Sequence, residues 1–111
     1  HLVEGEGELL PGIRVHLVHG HTTALQCPLV SDGRTTLFYC ADLMPTVSHV
    51  QLPWIMAYDL RPLVTLEEKR TILGRAHEEQ WILFFEHDHA TAAGRVHMSD
   101  RGIVFDAPVE I

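Results

Sequence analysis

The chain has 111 residues, which is enough for one small domain with a single modest core. Its 15 acidic residues outnumber 8 lysines and arginines, and this excess argues against nucleic-acid binding, which needs clustered cations. No apolar run approaches the roughly 20 residues of a membrane-spanning helix, and no signal peptide is evident, so we expect no membrane partner.

The first part of the chain predicts three strands. Residues 13–18 alternate between apolar and polar side chains, as in a strand with one buried face. Residues 27–31 form the second predicted strand, Asp32-Gly33 a hairpin turn, and residues 35–40 the third strand. Prolines at positions 45, 53 and 62 then indicate a loop region, which encloses a short helix near residues 47–51.

The clearest helix is predicted over about residues 65–79, with Thr65 as the N-cap and Glu68 completing a capping box. Residues 80–85 follow as a buried strand, and residues 95–98 and 102–105 form a hairpin around residues 99–101. Strands, one strong helix and further strands predict an α/β or α+β domain that spans residues 1–111.

The cysteine and histidine contents bear on the compartment and on the chemistry. Cys27 and Cys40 lie in apolar segments, where a buried free thiol is the expected state, although strands placed side by side could also allow a disulfide. Free thiols indicate a cytoplasmic protein. The sequence has 9 histidines, and because histidine is the commonest metal ligand, this excess favours a metal site.

Residues able to bind a metal directly follow three of the predicted strands. They are His19 and His21 after the first strand, Asp42 after the third, and His87, Asp88 and His89 after the strand at 80–85. One such residue after a strand is ordinary. Three such positions in one small domain predict a shared site, because strand ends of a sheet converge on common loops.

These segments resemble the second half of the metallo-β-lactamase superfamily. The resemblance covers about residues 4–105 and is carried by Pro11-Gly12-Ile13, Gly20-His21-Thr22, Phe38-Tyr39-Cys40-Ala41-Asp42-Leu43 and Phe85-Glu86-His87-Asp88. It implies an α/β fold, the second half of the four-layer αββα sandwich, rich in strands and with one main helix at about residues 65–79. The family's His-x-His-x-Asp-His signature is absent, so we expect the C-terminal half alone, without the N-terminal half that carries the signature.

The resemblance implies three metal ligands in this chain. His21 would complete a shell of three histidines on one metal, His87 would bind a second metal, and Asp42 would give one oxygen to each. The cofactors are therefore expected to be two divalent metal ions, with zinc the first expectation and iron or manganese compatible with the same donors. A hydroxide between the metals would be the nucleophile, and no further catalytic residue is expected in this half.

Other residues are expected near the site. The run Pro45-Thr46-Val47-Ser48-His49, followed by Pro53-Trp54 and Tyr58-Asp59, resembles the hydrolase branch of the superfamily. His49 and Tyr58 are therefore candidates for substrate contact, whereas Asp59 is expected to pair with Arg61 or another cation as ordinary scaffold.

The neighbours of the implied ligands have weaker assignments. His19 and His89 are candidates for an outer shell or for substitute ligands, and Asp88 for orienting a ligand imidazole. The chain also departs from the family where Cys40-Ala41 stands in place of the glycine that often precedes the aspartate. This departure concerns loop geometry more than ligand identity.

The function implied for the parent protein is metal-dependent hydrolysis of an ester, a lactone or a similar small-molecule substrate. We expect the chain alone to bind metal weakly, to be inactive, and to need a partner, either its missing N-terminal half or a second copy in a homodimer. Two alternatives remain open at this point. One is a non-catalytic interaction module of the same fold, and the other is a small independent metal-binding domain built on the pairs His19/His21 and His87/His89.

Overall fold

One mixed sheet of seven strands dominates residues 5–110, which are the residues that the computed structural model describes. The spatial order of these strands is their order in the chain. The strands are β1 (Gly7–Leu10), β2 (Ile13–Val18), β3 (Leu25–Ser31), β4 (Thr36–Tyr39), β5 (Ile82–Phe84), β6 (Ala93–Ser99) and β7 (Gly102–Pro108). A short 3₁₀ helix (Val47–Val50) and the main helix α1 (Pro62–Glu79) connect β4 to β5.

The pairing of β4 with β5 is parallel, whereas the other neighbouring strands in the described part pair antiparallel. Tyr39 lies opposite Phe84 in the parallel register. A parallel pair needs a long crossover connection, and the 3₁₀ helix and α1 provide it. Because both strands run in the same direction, the residues that follow them emerge at the same edge of the sheet.

Helix α1 covers one face of the sheet. Ile72, Leu73 and Ala76 of the helix belong to the same buried cluster as Phe38 and Leu83, which lie opposite one another on β4 and β5. The largest buried ring, Trp81, stacks on Phe38 with 5.5 Å between ring centroids. This continuous apolar contact fixes the helix relative to the central strands.

The main helix begins earlier than the sequence predicts. It starts at Pro62, in the first turn, where the missing N–H and fixed φ of proline are tolerated. Thr65 is consequently a buried residue inside the helix and not its N-cap, and Glu68 does not form a capping box. Among residues 5–110, no helical segment combines the length and the hydropathy that a bilayer crossing requires.

The strand predictions are confirmed with changed ends. β2 has the predicted bounds, β3 starts two residues early at Leu25, and β6 and β7 form the predicted terminal hairpin with longer strands. The β1 strand was not predicted, because its four residues are too few to show a period. Residues 1–4 and 111 of the predicted domain lie outside the described residues.

Both cysteines are free and fully buried, as predicted. The Cys27 thiol points at the carbonyl oxygen of Cys40, with 3.8 Å from sulfur to oxygen. Burial, followed by the nearby carboxylates of Glu68 and Asp42, raises the pKa of Cys27 to about 12. The thiols are therefore core side chains without the thiolate character that nucleophiles or metal ligands need.

Candidate metal centre

The three residues that the resemblance implies as ligands lie at one edge of the sheet. His21 is in the turn after β2, Asp42 in the turn after β4, and His87 in the bend after β5. The backbone N–H of His87 donates to the carbonyl of Pro45, with 3.0 Å from nitrogen to oxygen. This bond ties the segment after β5 to the segment after β4, so the neighbouring strand ends stay together.

The carboxylate of Asp42 lies between the two imidazoles. Its Oδ2 is 3.4 Å from Nε2 of His21, and its Oδ1 is 3.2 Å from Nε2 of His87. A zinc ion with bonds of about 2.1 Å to nitrogen and oxygen holds tetrahedral donors about 3.4 Å apart. The observed spacing therefore fits one cation on each side of Asp42, with the carboxylate shared between them.

A buried carboxylate orients the imidazole of His21. Nδ1 of His21 lies 2.7 Å from Oδ1 of Asp59, and Oδ2 of Asp59 accepts a hydrogen bond of 2.6 Å from the Thr65 hydroxyl. The side chain of Asp59 is only 1% exposed. Donation of Nδ1–H to Asp59 would leave Nε2 of His21, which faces Asp42, as the nitrogen that can bind a metal.

The expected pairing of Asp59 with Arg61 is wrong. In the described chain, the side-chain partners of Asp59 are His21 and Thr65. Sequence reasoning missed this role because an aspartate in a loop carries no spacing signal. The relevant contact joins residues 38 positions apart, and it depends on the first turn of α1.

Helix α1 also holds the turn that carries His21. The carboxylate of Glu68 accepts hydrogen bonds from the backbone N–H groups of His19, at 2.7 Å, and Gly20, at 2.9 Å. The N–H of Arg61 donates to the carbonyl of Gly20 at 2.7 Å. These bonds fix the position of His21 relative to α1, whose Thr65 hydroxyl donates to Asp59, the hydrogen-bond partner of His21.

A fourth residue, Glu86, joins the site and was not singled out in the sequence. Donor atoms of Asp42, Glu86 and His87 all lie within 4.8 Å of one another. In a regular strand, adjacent residues point to opposite faces, so strand periodicity does not place Glu86 and His87 together. The chain bends at these two residues after β5, and the bend turns both side chains towards Asp42.

The remaining candidates lie outside this group of donors. Asp88 does not orient an imidazole, because its oxygens accept hydrogen bonds from the N–H groups of Val47, Ala90 and Thr91. These bonds lower its pKa. Nδ1 of His19 accepts a hydrogen bond from the N–H of Ala24, and His89 is exposed. The structure therefore does not gather the pairs His19/His21 and His87/His89 into one site.

The two candidates for substrate contact lie on the crossover between β4 and β5. Nδ1 of His49 is 2.8 Å from the Thr46 hydroxyl oxygen, and burial, together with the charge of Lys69, lowers the pKa of His49. Tyr58 is 82% exposed and directly precedes Asp59. Their contact with a substrate stays a prediction.

The backbone conformation of Ala41 explains why glycine suits this position, and it leads to a testable prediction. Ala41 has a φ of 47°, in the left-handed region that favours glycine. We expect Ala41→Gly to raise the free energy of unfolding by about 0.5–1 kcal/mol, because relief of this conformation exceeds the added entropy of the unfolded chain. Urea denaturation followed by circular dichroism measures the effect.

Ala92→Gly is the control for that substitution, since Ala92 is also an alanine of a loop but has no positive φ. It should lower the stability slightly through unfolded-state entropy alone. An Ala41→Gly variant that is no more stable than the wild type would show that the turn carries no conformational cost.

Comparison with known proteins found relatives among solved structures alone. No family model matches the chain, and no curated protein matches it. A probable metal-dependent hydrolase from Staphylococcus aureus superposes with a TM-score of 0.86 at 26% identity, covering 100% of this chain and 39% of that one.

Two further structures agree with this match. AidC, a dizinc quorum-quenching lactonase in complex with a homoserine product, gives a TM-score of 0.79 at 19% identity, over 95% of this chain and 36% of its own. The hydrolase AbOPH, in the β-lactamase superfamily, superposes with a TM-score of 0.78 at 15% identity. The match covers 95% of this chain and 37% of AbOPH. The chain thus spans well under half of each relative, and its single sheet and main helix match that part of their fold. The resemblance found in the sequence is confirmed by these matches, because the chain has the fold of the corresponding part of hydrolases of the metallo-β-lactamase superfamily.

Proposed function

We propose that His21, Asp42 and His87 are metal ligands of a hydrolase whose remaining ligands lie on polypeptide outside these 111 residues. One observation carries the proposal, namely that two imidazole nitrogens face different oxygens of one carboxylate at 3.4 and 3.2 Å. Such an arrangement suits a carboxylate that bridges two cations. A surface aspartate that only formed an ion pair would not need both of its oxygens placed against histidines.

Each residue has a separate task in this proposal. His21 is held in one orientation by Asp59, and His87 is placed by the bond from its N–H to Pro45. Zinc suits the mixed imidazole and carboxylate donors, and iron or manganese is compatible with them. When bound, such ions lower the pKa of water and polarise a carbonyl oxygen. His49 and Tyr58, on the crossover, are the proposed substrate contacts.

The proposed substrate is a small ester, lactone or related carbonyl compound. Support comes from the relatives, since AidC is a lactonase, and another matching structure is an N-acyl homoserine lactone hydrolase with its product at the catalytic metal centre. The acidic balance of this chain, with a formal net charge of −7, disfavours a polyanionic substrate such as a nucleic acid. Two buried free thiols support a cytoplasmic location as part of the same proposal.

The sheet face opposite α1 supports the proposal of a missing partner. Apolar side chains of adjacent strands share this face, where Val30 lies opposite Leu37 and Tyr39 opposite Phe84. Val30 is 42% exposed. We propose that the C-terminal half of the domain uses this face to pack on its N-terminal half, and that a second copy is the alternative partner.

A chimera tests the proposed function. The chain is joined to the part of the Staphylococcus aureus hydrolase that it does not cover, and metal content and hydrolysis of a panel of esters and lactones are measured. We expect about two metals per chimera and metal-dependent hydrolysis. Asp42→Asn should remove at least one metal and lower the rate at least about 100-fold, because a bridging ligand is lost.

The matched control is Asp106→Asn, which changes an exposed carboxylate on β7 whose ion-pair partner among residues 5–110 is His97. It should leave metal content and rate unchanged. In the 111-residue chain alone, we expect weak zinc binding that Asp42→Asn weakens further, and no turnover. Tight stoichiometric zinc together with hydrolysis by the chain alone would contradict the proposal, as would an Asp42→Asn chimera with unchanged metal content.

A further inference from the structure

We infer that Lys69 is a positioning residue of the proposed hydrolase, and that its buried ammonium group holds the crossover beside the metal centre in the conformation that binds substrate. The inference rests on the proposed function and extends it to a residue outside the group of metal donors. Among residues 5–110, the buried polar or charged residues are Thr65 and Lys69, and both belong to α1. They are four positions apart and therefore lie on one face of the helix.

The Lys69 ammonium group binds one short segment of the crossover. Nζ donates to the carbonyls of Gln51 and Trp54 at 2.8 Å, and to that of Leu52 at 3.2 Å. An ammonium group has three N–H donors, so the three carbonyls of residues 51–54 use all of them. These residues follow the 3₁₀ helix and belong to no helix or strand. Their path therefore depends on the lysine and on the turn bond from the Trp54 N–H to Gln51, at 3.0 Å.

Burial of the charge favours one path of this segment over others. Lys69 is fully buried, which is rare for a lysine. Removing an ammonium group from water is costly, and the cost is offset only where hydrogen-bond acceptors converge on it. Within residues 5–110, the hydrogen-bond partners of Nζ are these three carbonyls. A loop conformation that withdrew one of them would leave the charge less compensated, so the lysine selects the observed conformation.

The stretch of chain held by Lys69 leads directly to the metal centre. Asp59 follows it, with Oδ1 at 2.7 Å from Nδ1 of His21, and its Oδ2 accepts a hydrogen bond from the Thr65 hydroxyl. Thr65 and Lys69 are about 6 Å apart along the helix axis and hold two points of the same stretch. Helix α1 is therefore a fixed support for the crossover from residue 51 to residue 59.

The two proposed substrate contacts lie on either side of residues 51–54. His49 precedes them and Tyr58 follows them. Burial, and then the charge of Lys69, lower the pKa of His49, so the imidazole and the ammonium group lie near each other. Without Lys69, both contacts would lose their fixed position beside the metals, whereas the implied ligands keep hydrogen bonds of their own.

Kinetics of the chimera distinguish positioning from a contribution to stability alone. Lys69→Met is assayed at a temperature at which circular dichroism shows it folded. We expect about two metals and a nearly unchanged kcat, with the KM for the best ester or lactone of the panel raised at least about 10-fold. Lys69→Arg keeps a cation with several N–H donors and should recover most of the wild-type KM. Arg70→Met changes the exposed neighbour and should leave KM unchanged.

Nuclear magnetic resonance relaxation of the 111-residue chain measures the order of the segment directly. The backbone amide of Trp54 should have an order parameter of about 0.85 in the wild type and below about 0.6 in Lys69→Met, because its loop is released. The amide of Trp81, whose side chain is buried in the core, is the internal reference and should not change.

The outcomes separate this inference from the proposed function. A folded Lys69→Met chimera with the wild-type KM would overturn the inference, as would an unchanged order parameter at Trp54. If Lys69→Met does not fold, Lys69→Gln takes its place, because its shorter neutral side chain keeps an N–H donor but cannot serve three carbonyls; unchanged KM and order would overturn the inference in the same way. A wild-type chimera without metal or hydrolysis would defeat the proposed function instead, and the relaxation measurement would still decide whether Lys69 holds the loop.

Discussion

Replacing Gly20 by alanine is expected to lower the free energy of unfolding by about 3 kcal/mol, because a methyl group has no space there. A Cβ at Gly20 would collide with the backbone N and the hydroxyl oxygen of Thr65, and would lie 2.7 Å from its Cα. The obstacle is helix backbone, which cannot rotate away as a side chain can. The helix would have to move from the His21 turn, weakening the bonds from Glu68 to that turn.

Gly74→Ala is the matched control for this prediction. Gly74 also belongs to α1, and a Cβ there meets nothing within 4 Å. The free energy of unfolding of this variant should rise by about 0.5–1 kcal/mol, because alanine is the better helix former. Chemical denaturation of both variants measures the difference. Equal stability of Gly20→Ala and the wild type would mean that the helix and the turn do not touch as described.

Lys69→Met is expected to lower the free energy of unfolding by about 2–4 kcal/mol, because it leaves buried carbonyl oxygens without a donor. Lys69 is fully buried, and its Nζ donates to the carbonyls of Gln51 and Trp54 at 2.8 Å and of Leu52 at 3.2 Å. Arg70→Met is the control, since Arg70 is exposed and its ion pair is with the exposed Glu67. That variant should change the stability by less than about 0.5 kcal/mol.

The contribution of Lys69 should depend on pH. Burial lowers its pKa from 10.5 to about 8, so between these values the unfolded chain binds more protons than the folded chain. Stability from this group therefore rises as the pH increases from about 8 to 10.5. The difference in stability between wild type and Lys69→Met isolates this effect from the cysteines, and it should be larger at pH 10 than at pH 7. An unchanged difference would contradict a lowered pKa.

The positions of the implied ligands could be predicted because each one follows a strand with a clear local pattern. Asp42 and His87 come directly after β4 and β5, which contain buried residues such as Phe38 and Leu83. The period of a strand and the residue at its end are both local properties, so one sequence is enough to find them. Asp42 and His87 meet at one edge only because β4 and β5 pair in parallel. Strand periodicity does not indicate this pairing, and the expectation of a shared site came from the strand ends and the family resemblance.

The parts that could not be predicted depend on contacts between distant residues. Thr65 looks like an N-cap from its neighbours, but the helix extends to Pro62, and the Thr65 hydroxyl is used by Asp59. Lys69 is a charged residue of the predicted helix, a type that is usually exposed, yet it is buried and donates to loop carbonyls. Glu86 lies near Asp42 because the chain bends after β5, and strand periodicity does not indicate this bend.

The parallel pairing of β4 and β5 fixes the spacing between Asp42 and His87, whereas the crossover between the two strands can vary in length. The carboxylate of Asp42 and the imidazole of His87 are set by backbone bonds between two neighbouring strands, including the bond from the Cys40 N–H to Phe84. The long crossover leaves after one strand and returns at the start of the other. Insertions within it could reshape the surroundings of the two donors while their mutual spacing stayed the same. A lineage could therefore acquire new substrates for the proposed metal centre by rebuilding this connection, while the positions of its two donors stay unchanged.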